Sequence, residues 1–370
     1  MIIELDKNQI IENLKNIVSV SEKKQTMPIL GNVLFKYNQG ELLMVASDLE
    51  LEVSTKITID LDGVFETTLP GKKMLDILRS LNTGDMVKFN IEETKTTITS
   101  GKSKFVLATI PAEDFPYANK EVVMEHKISV GNLDSLISET SFSMAHQDAR
   151  HFLNGMFLEL GSLQVTTVAT DGHRLAMSAK EISNSIEKPL TCIIPRKCVT
   201  ELKRIITSFN DNTEEIVEFS INNKEIMFKF NNYYITSKLI EGNYPDYNKV
   251  FPDSLPNTLK INKLHFKDAL LRMSILSNDQ FKGVKLAISS SELKLSTTNP
   301  AQEEGEDFVP CSYSGEDIEV GFNLNYLLEV IDVVSTDNLI LQLNNADSGC
   351  LLNNDSEKPL NKYIIMPMRV

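Results

Sequence analysis

The sequence has few of the residues that metal and redox sites use. Its 370 residues include four cysteines and five histidines. The cysteines stand at positions 192, 198, 311 and 350, so no Cys-x-x-Cys pair exists, which excludes a zinc ribbon and a thioredoxin-like motif. Phosphate-binding glycine loops, His-Glu-x-x-His and Gly-x-Ser-x-Gly are also absent. The common metal, nucleotide and nucleophile motifs therefore give no candidate site.

Long apolar runs and positive charge are scarce as well. No run reaches the roughly 18 apolar residues of a membrane span. The opening residues Met1–Asp6 lack a basic start with an apolar stretch, so we expect no signal peptide. The net charge of −14 argues by itself against a nucleic-acid partner. With 42% hydrophobic and 24% charged residues, the composition is that of a globular protein, and the length suggests two to three domains.

The sequence does contain a threefold repeat with a period of about 125 residues, the size of a small domain. Each repeat opens with a strand end, a polar cap and apolar residues at helical spacing, at Leu5–Leu14, Ile128–Ile137 and Ile261–Leu270. A glycine and an alternating stretch follow, which is typical of half-buried antiparallel strands. We predict an α+β protein of three similar domains. The predicted domains are residues 1–124, 125–253 and 254–370.

Each repeat also has a polar turn after its first strands and then a second helix. The turns are Ser47–Glu50, Thr170–His173 and Thr298–Pro300. Two of the second helices start alike, at Leu69–Lys73 and Ile194–Lys197. The matching order supports one fold repeated three times.

Positive charge is concentrated on some of the predicted helices. The six helices are predicted at residues 6–17, 72–81, 131–141, 196–206, 262–273 and 323–334. They carry a net charge of +3, which leaves −17 on the rest of the chain. Charge counting alone favours ordinary solvated helix faces, but one shared surface that contacts phosphates stays open, because the local field decides such contacts.

Several longer segments carry a family resemblance. They are Met27–Asn32, Phe142–Asp148, Leu153–Met156, Ala169–Leu175, Tyr244–Tyr247, Ile275–Asn278, Phe281–Val284 and Met366–Arg369. In order, spacing and end-to-end coverage the chain resembles the bacterial DNA sliding clamp, the beta subunit of the replicative DNA polymerase III. The resemblance implies three domains of the DNA-clamp (processivity) fold in each protomer. Two protomers would form a head-to-tail ring, with helices lining the hole and antiparallel sheets outside.

The resemblance implies a processivity factor that slides on double-stranded DNA without reading its sequence. The expected partners are the replicative polymerase catalytic subunit, the clamp loader, other DNA polymerases and repair proteins with clamp-binding motifs, and a second copy of the chain. We expect no enzymatic activity, cofactor, metal or membrane partner. The expected location is the cytoplasm, at the nucleoid during replication.

The resemblance implies three sites. The first is an apolar peptide-binding groove between domains two and three, where Leu, Ile, Val and Met side chains make an adaptable slot. Its expected residues are Leu153, Thr170, Gly172, His173, Arg174, Leu175, Pro245, Lys249, Val250, Ile364, Ile365, Met366, Pro367, Met368 and Arg369. Lys249 stands where the family commonly has arginine, so a planar group is replaced by a flexible stem.

The other two sites are a DNA-contacting surface and a dimer interface. The expected DNA-contacting residues are Lys24, Lys73, Gln147, Arg150, His151, Phe152, Arg196 and Lys197. The expected interface residues are Phe105, Leu107, Ile275, Leu276, Lys72, Lys102, Lys104, Glu303, Glu304 and Glu306. The apolar members should supply most of the affinity, because exposed ion pairs contribute at most about 1 kcal/mol each.

Two other functions are considered beside the clamp. One is a peptide-binding scaffold of the same fold that never encircles DNA, which the basic residues on the helix at 196–206 disfavour. The other is an enzyme that uses Asp171 and His173, although a relay would also need a nucleophile and oxyanion donors. No sequence feature marks either of those groups.

Overall fold

A computed structural model describes residues 1–21, 27–82, 84–117, 122–182, 189–209, 213–252, 255–277 and 282–369. The chain forms two compact units, which are described separately. Unit 1 comprises residues 1–131 and 197–239, and unit 2 comprises residues 132–196 and 240–370. No helix among the described residues is long and apolar enough to cross a membrane.

Six α-helices occur in these ranges, and they match the six predicted helices to within two residues. Their bounds are α1 Lys7–Val18, α2 Gly71–Ser80, α3 Val130–Thr140, α4 Arg196–Thr207, α5 Lys263–Ser274 and α6 Leu324–Val333. The side chains of Asp6, Asn262 and Asn323 accept hydrogen bonds from the first helical backbone amides of α1, α5 and α6. These polar caps explain why the starts of α1, α5 and α6 could be predicted.

The rest of the described chain is rich in antiparallel strands, as the alternating stretches predicted. In chain order the strands are β1 Ile2–Asp6, β2 Asn32–Asn38, β3 Glu41–Ser47, β4 Leu51–Thr58, β5 Phe65–Pro70, β6 Met86–Ile91, β7 Lys95–Ser100, β8 Ser103–Ala108, β9 His126–Ser129, β10 Gly155–Leu160, β11 Gln164–Thr170, β12 Arg174–Glu181, β13 Leu190–Pro195, β14 Ile216–Ile221, β15 Glu225–Phe230, β16 Tyr233–Lys238, β17 Asn257–Asn262, β18 Gly283–Ile288, β19 Glu292–Thr298, β20 Glu304–Ser314, β21 Ile318–Asn323, β22 Asn338–Leu343, β23 Cys350–Asn354 and β24 Lys362–Ile365.

The strands join into sheets that continue from one repeat to the next. Unit 1 holds a four-stranded sheet, β1-β6-β7-β8, and an eight-stranded sheet, β5-β2-β3-β4-β16-β15-β14-β9. Unit 2 holds a twelve-stranded sheet, β13-β10-β11-β12-β24-β23-β22-β17-β20-β19-β18-β21. The first eight strands of the larger sheet repeat the order of the eight-stranded sheet. The α+β prediction with antiparallel sheets is therefore confirmed.

The main core of unit 2 lies between its sheet and its helices. Phe266 of α5, Leu327 of α6, and Tyr363 and Ile365 of β24 are buried in it. Each such side chain contributes roughly 1.5–3 kcal/mol relative to exposure in water. Because successive residues of a strand point to opposite faces, Leu175 and Ile364 face away from this core. That second face carries the candidate groove.

Candidate functional site

The candidate groove begins at the turn between β11 and β12. Oδ1 of Asp171 accepts hydrogen bonds from the backbone amides of His173, at 2.9 Å, and Arg174, at 3.0 Å. The amide of Gly172 donates to the hydroxyl of Thr170 at 3.1 Å, and Gly172 has a φ of +89°. Glycine suits this left-handed position, because a side chain there would be strained. The turn is thus fixed by its own polar groups and leaves His173 exposed.

The side chain of Arg174 anchors this turn to the helix layer. It is 9% exposed and forms ion pairs with Asp171 and Glu329. Its Nη2 donates to the carbonyl of Phe142 at 2.7 Å, and its guanidinium lies 4.2 Å from the ring centre of Tyr326. These contacts lie on the face opposite the groove. Arg174 therefore positions the turn, and its guanidinium is not part of the groove surface.

The floor of the groove is an apolar cluster on the outer face of the sheet. Its buried residues are Val168, Leu175, Leu351 and Ile364. Partly buried residues pack around them: Phe157, Met177, Tyr244, Tyr247, Phe251 and Leu255. An apolar floor with a few polar groups at its edge is typical of a ligand site.

Aromatic side chains hold the segment from Tyr244 to Phe251 against this floor. The rings of Phe157 and Tyr244 stack with their centres 4.9 Å apart. The hydroxyl of Tyr247 donates to Glu159 at 2.9 Å. Burial, followed by the contact with Glu159, raises the pKa of Tyr247 to about 12, so this phenol remains a hydrogen-bond donor at neutral pH. These aromatic residues form one wall of the groove.

The C-terminal segment forms the opposite edge. The amide of Met366 donates to the carbonyl of His173 at 2.9 Å, which joins this segment to the turn. Met366 is 43% exposed, and its sulfur lies against Gly349, where an added Cβ would be only 3.2 Å away. The amide of Met368 donates to the carbonyl of Gly321 at 2.9 Å. A flexible thioether at the rim can adjust to differently shaped ligands.

The structure brings most of the expected groove residues to this surface, but Leu153, Ile365 and the side chain of Arg174 lie in the interior. Ile365 is fully buried in the core on the helix side, and Leu153 is also buried. Pro245, Val250 and Arg369 are exposed at the rim. Lys249 is exposed as well and forms an ion pair with Asp246 at 3.4 Å. The resemblance did not include Phe157 and Tyr247, which pack at the floor. The alternation of β10 and the aromatic side chains were the signals available for them.

Arg150, which we expected at the DNA surface, lies beside the groove turn. Its Nη2 is 2.9 Å from Oδ2 of Asp148, and a Cβ atom at Gly172 would lie 3.0 Å from the same nitrogen. Hydrogen bonds from Arg150 lower the pKa of Asp148 to about 2. Gln147 and His151 are exposed on the same loop, and Phe152 is partly buried. This loop can therefore act at the groove as well as at a DNA surface.

The first two residues of α4 have protein partners. Nη2 of Arg196 donates to the carbonyl of Met144 at 2.6 Å. Nζ of Lys197 lies 2.5 Å from Oδ2 of Asp48. Burial acts to raise the pKa of Asp48, but the hydrogen bonds from Lys197 and from two backbone amides outweigh it and lower the pKa overall. Lys197 thus adds little net positive charge at its position.

The remaining expected DNA-contacting residues are Lys73 on α2 and Lys24. Lys73 is exposed on α2, as are Lys72 and Arg79. Lys24 lies outside the described residues. Arg204 of α4 pairs with Glu201 at 2.8 Å. In unit 1, α2 therefore presents a group of exposed cations, whereas α4 holds part of its charge in structural contacts.

The expected interface residues of unit 1 lie on or beside the edge strand β8, apart from Lys72, which lies on α2. In unit 1, β8 is the last strand of the four-stranded sheet, and it carries Phe105 and Leu107. Val106, on the other face of β8, is 56% exposed, and the cations Lys102 and Lys104 are exposed nearby. An edge strand with exposed apolar side chains readily pairs with another chain.

In unit 2, the expected interface residues follow α5 and begin β20. Ile275 is 78% exposed, and Leu276 is partly buried. Glu303, Glu304 and Glu306 are exposed, and Glu306 pairs with Lys294 at 2.6 Å. Phe308 of β20 is also exposed, and sequence reasoning missed both this residue and Val106.

The repeated α+β fold, its continuous sheets and its apolar surface groove together define a binding protein of the DNA-clamp class. Both carboxylate oxygens of Asp171 accept bonds within the turn, so this residue serves the turn and not a relay through His173. Models of the DNA polymerase III beta subunit match most of the chain: the N-terminal domain at residues 1–119, the central domain at 127–246 and the C-terminal domain at 248–369. The chain belongs to the DNA polymerase III beta subunit family, the beta sliding clamps, which are processivity factors and not enzymes.

Similar proteins agree with this assignment over their full lengths. The beta sliding clamps of Vibrio cholerae and Escherichia coli K12 are each 34% identical, over 99% of both chains. The crystal structure of the Pseudomonas aeruginosa beta subunit is 33% identical, covers 100% of both chains and has a TM-score of 0.93. The Bartonella birtlesii clamp bound to griselimycin is 31% identical, covers 100% of both chains and has a TM-score of 0.94.

Proposed function

We propose that two copies of this chain close head to tail around double-stranded DNA and tether partner proteins through the apolar groove. The observation that carries this proposal is the groove itself: an apolar floor, an aromatic wall, an exposed methionine rim and a fixed polar turn. The partners proposed are the replicative polymerase catalytic subunit, the clamp loader, and other polymerases and repair proteins. The proposed domains are residues 1–124, 125–253 and 254–370, and the proposed location is the cytoplasm.

The groove would bind an extended peptide by burying apolar side chains over Leu175, Leu351 and Ile364. Met366 and Met368 would adapt to the peptide, and the exposed side chain of His173 on the turn would fix its direction. Griselimycin is bound to the clamps of P. aeruginosa and B. birtlesii, and we propose that it occupies this groove here.

A calorimetric titration tests the groove. Changing Met366→Ala together with Met368→Ala should weaken griselimycin binding at least about tenfold, because two adaptable apolar contacts are lost. Met227→Ala, a partly buried methionine of unit 1, serves as the matched control and should leave the affinity unchanged. Equal affinities in the wild-type protein, the double variant and the control would mean that griselimycin does not bind in the groove.

For the dimer, β8 of one protomer would meet the start of β20 of its partner. The exposed side chains of Ile275, Val106 and Phe308 would be buried there, and Lys102 and Lys104 would face the glutamates at 303, 304 and 306. Because the contact is head to tail, its rotation must close the ring or it would build a fibre.

The DNA contact would use the exposed cations of the helices, with Lys73 and Arg150 among them. Phosphate contacts of this kind carry no sequence information and allow sliding. Enclosure would hold the protein on DNA, so each contact can be weak. The acidic remainder of the chain would discourage binding by the outer surface.

Retention on circular DNA tests the ring. The protein is loaded onto a nicked circle with its clamp loader and ATP, washed at high salt, and the DNA is then cut. Survival of the wash followed by release on cutting is expected for a closed ring. Release during the wash would mean an ordinary electrostatic binder and would favour the scaffold that never encircles DNA.

A further inference from the structure

A lysine of β24, Lys362, stands among apolar side chains on the groove face of the sheet in unit 2. It lies two residues before Ile364 on the same strand, and residues two apart in a strand share a face. Its side chain is partly buried, and it lies opposite Met177 of β12. None of the three sites expected from the sequence includes this lysine.

The strand register places Lys362 at the end of an apolar row that crosses four strands. Phe157 of β10 lies opposite Val168 of β11, Val168 lies opposite Met177, and Met177 lies opposite Lys362. The first three side chains belong to the apolar cluster of the groove floor. The row therefore changes from apolar to positively charged at β24.

The neighbouring row, two residues nearer the polar turn, is apolar throughout. Leu175 lies opposite Ile364, and Ile364 lies opposite Leu351. Residues two apart in a strand are separated by about 7 Å, and the lysine side chain is itself long and flexible. A ligand that covers Ile364 is therefore within reach of the ammonium group of Lys362.

An aromatic ring holds this ammonium group at the groove. Nζ of Lys362 lies 5.3 Å from the ring centre of Phe251, which packs on the groove floor. A cation at this distance is attracted by the face of a ring, but its charge is not neutralised. Among the residues that the structure describes, no carboxylate lies within ion-pair distance of Lys362.

Two other cations beside the groove already have carboxylate partners within the protein. Lys249 lies 3.4 Å from Asp246, and Arg150 lies 2.9 Å from Asp148. Their charges are therefore partly balanced before any ligand binds. Lys362 differs from both, because its charge remains available to a ligand.

The repeated fold shows that a cation is not required at this position. β4 pairs with β16 in unit 1 as β12 pairs with β24 in unit 2. The sixth residue after the aspartate of the polar turn is Ser54 in unit 1 and Met177 in unit 2. Ser54 lies opposite Tyr234, as Met177 lies opposite Lys362. The equivalent strand folds with a neutral side chain, so folding does not account for the positive charge.

From these observations we infer that Lys362 forms a carboxylate-binding subsite at the end of the groove. A peptide whose apolar side chains cover Leu175, Ile364 and Leu351 places an acidic group beside Met177, where it accepts a charged hydrogen bond from Nζ of Lys362. A phosphate backbone also carries negative charge, but it offers no apolar groups to the two neighbouring rows. The inference rests on the proposed binding of peptides in the groove and adds a preference for acidic peptides.

Fluorescence anisotropy with two synthetic octapeptides tests the subsite on the full-length protein. Both peptides have two central leucines and serine elsewhere, are labelled at the N-terminus and are amidated at the C-terminus. One carries glutamate two residues before and two residues after the leucines, and the other carries glutamine at the same positions, so both binding directions are covered. The glutamate peptide should bind about fivefold more tightly, because a charged hydrogen bond replaces a neutral one. Equal affinities, or tighter binding of the glutamine peptide, would overturn the inference.

A matched pair of variants assigns this preference to Lys362. Lys362→Met keeps an apolar stem against Phe251 and removes the charge, so the preference should disappear while the affinity for the glutamine peptide stays the same. Lys285→Met makes the same change in net charge on β18 of the same sheet, where Lys285 pairs with Glu319, and should keep the preference. A preference that survives in Lys362→Met, or one that is lost equally in Lys285→Met, would contradict the inference.

Two further ligands distinguish the possible sources of the negative charge. A glutamine peptide that ends in a free carboxylate two residues after the leucines represents a chain end. If it binds more tightly than the glutamate peptide, and only while Lys362 is present, the subsite takes a C-terminus; the reverse order assigns it to an acidic side chain. A short DNA duplex is the third probe. Weaker duplex binding by Lys362→Met with no change in peptide preference would assign the lysine to DNA and overturn the inference.

The methionine variant of the groove keeps this inference separate from the proposed function. Met366→Ala with Met368→Ala should weaken both octapeptides equally and leave their ratio of affinities unchanged, because the apolar contacts are common to both. Unchanged binding of griselimycin and of both peptides in that variant would contradict the proposed groove. A preference that does not depend on Lys362, with groove binding intact, would contradict only the carboxylate subsite.

Discussion

At the residue scale, the buried side chain of Arg174 links the groove turn to the helix layer. We expect Arg174→Ala to lower the free energy of unfolding of unit 2 by about 3 kcal/mol, because the partly buried Asp171 loses its ion-pair partner. Arg174→Lys should be hardly more stable than Arg174→Ala. An ammonium group cannot make the simultaneous contacts of the guanidinium to Glu329, Asp171 and the carbonyl of Phe142. Thermal unfolding measures the loss, and griselimycin affinity should fall with it.

Lys249→Ala is the control for this prediction. Its ion pair with Asp246 is exposed, so the expected change in stability is below about 1 kcal/mol. If Arg174→Ala were no less stable than Lys249→Ala, the guanidinium would not be holding the turn.

A second residue-scale prediction concerns the pH dependence of the contact between Asp148 and Arg150. The pKa of Asp148 is lowered to about 2 in the folded protein, so any stabilisation by this pair is complete above the unfolded pKa near 3.9 and is lost as the pH falls from about 4 to 2. A carboxyl titration by NMR should give a midpoint near 2. Arg150→Ala should return it toward the ordinary value. A wild-type midpoint near 4 would contradict the contact.

The residues of the groove could be predicted better than their roles. The segment at residues 169–175 was recognisable, but its sequence does not show that the partner of Arg174 is Glu329, which lies 155 residues away. Likewise, Ile364 and Ile365 are adjacent in sequence, yet only the strand alternation in the folded sheet separates a groove residue from a core residue. Long-range packing decides such roles, and a local pattern carries no information about it.

At the element scale, the exposed residue that follows α5 should decide dimerisation. We expect Ile275→Glu to weaken the dimer at least about tenfold, because a charge would be buried in an apolar contact. The protomer itself should be little affected, since Ile275 is 78% exposed. Sedimentation velocity over a concentration series measures the shift from dimer to monomer.

Leu264→Glu provides the matched control for the dimer prediction. Leu264 lies near the start of the same helix and is 63% exposed. Its substitution should leave the dimer intact. A monomeric Leu264→Glu protein, or a dimeric Ile275→Glu protein, would argue against the proposed interface.

The elements differ in how far the sequence could predict them. The starts of α1, α5 and α6 were predictable because Asp6, Asn262 and Asn323 are local caps. The pairing of β4 with β16 and of β12 with β24 was not predictable, because each pair joins strands from different repeats. Such pairing depends on the free edges that the folded repeats present to each other.

At the scale of the whole molecule, a chain with a net charge of −14 must contact DNA through a local surface. The described part of α2 offers exposed cations, among them Lys73 and Arg79. The start of α4 offers less, because Lys197 is paired with Asp48. We therefore expect α2, with three basic residues, to contribute more of the DNA contact than α4, which has four.

The salt dependence of binding to a short linear duplex tests this expectation. Lys73→Gln with Arg79→Gln should reduce the slope of log K against log salt by about 1–2, because each lost phosphate contact changes the slope by about 0.9. Lys88→Gln with Lys95→Gln makes the same change in net charge at exposed positions of β6 and β7 and should leave the slope unchanged. An equal reduction of the slope in both variants would mean that only net charge matters. An unchanged slope in both would mean that α2 does not contact DNA.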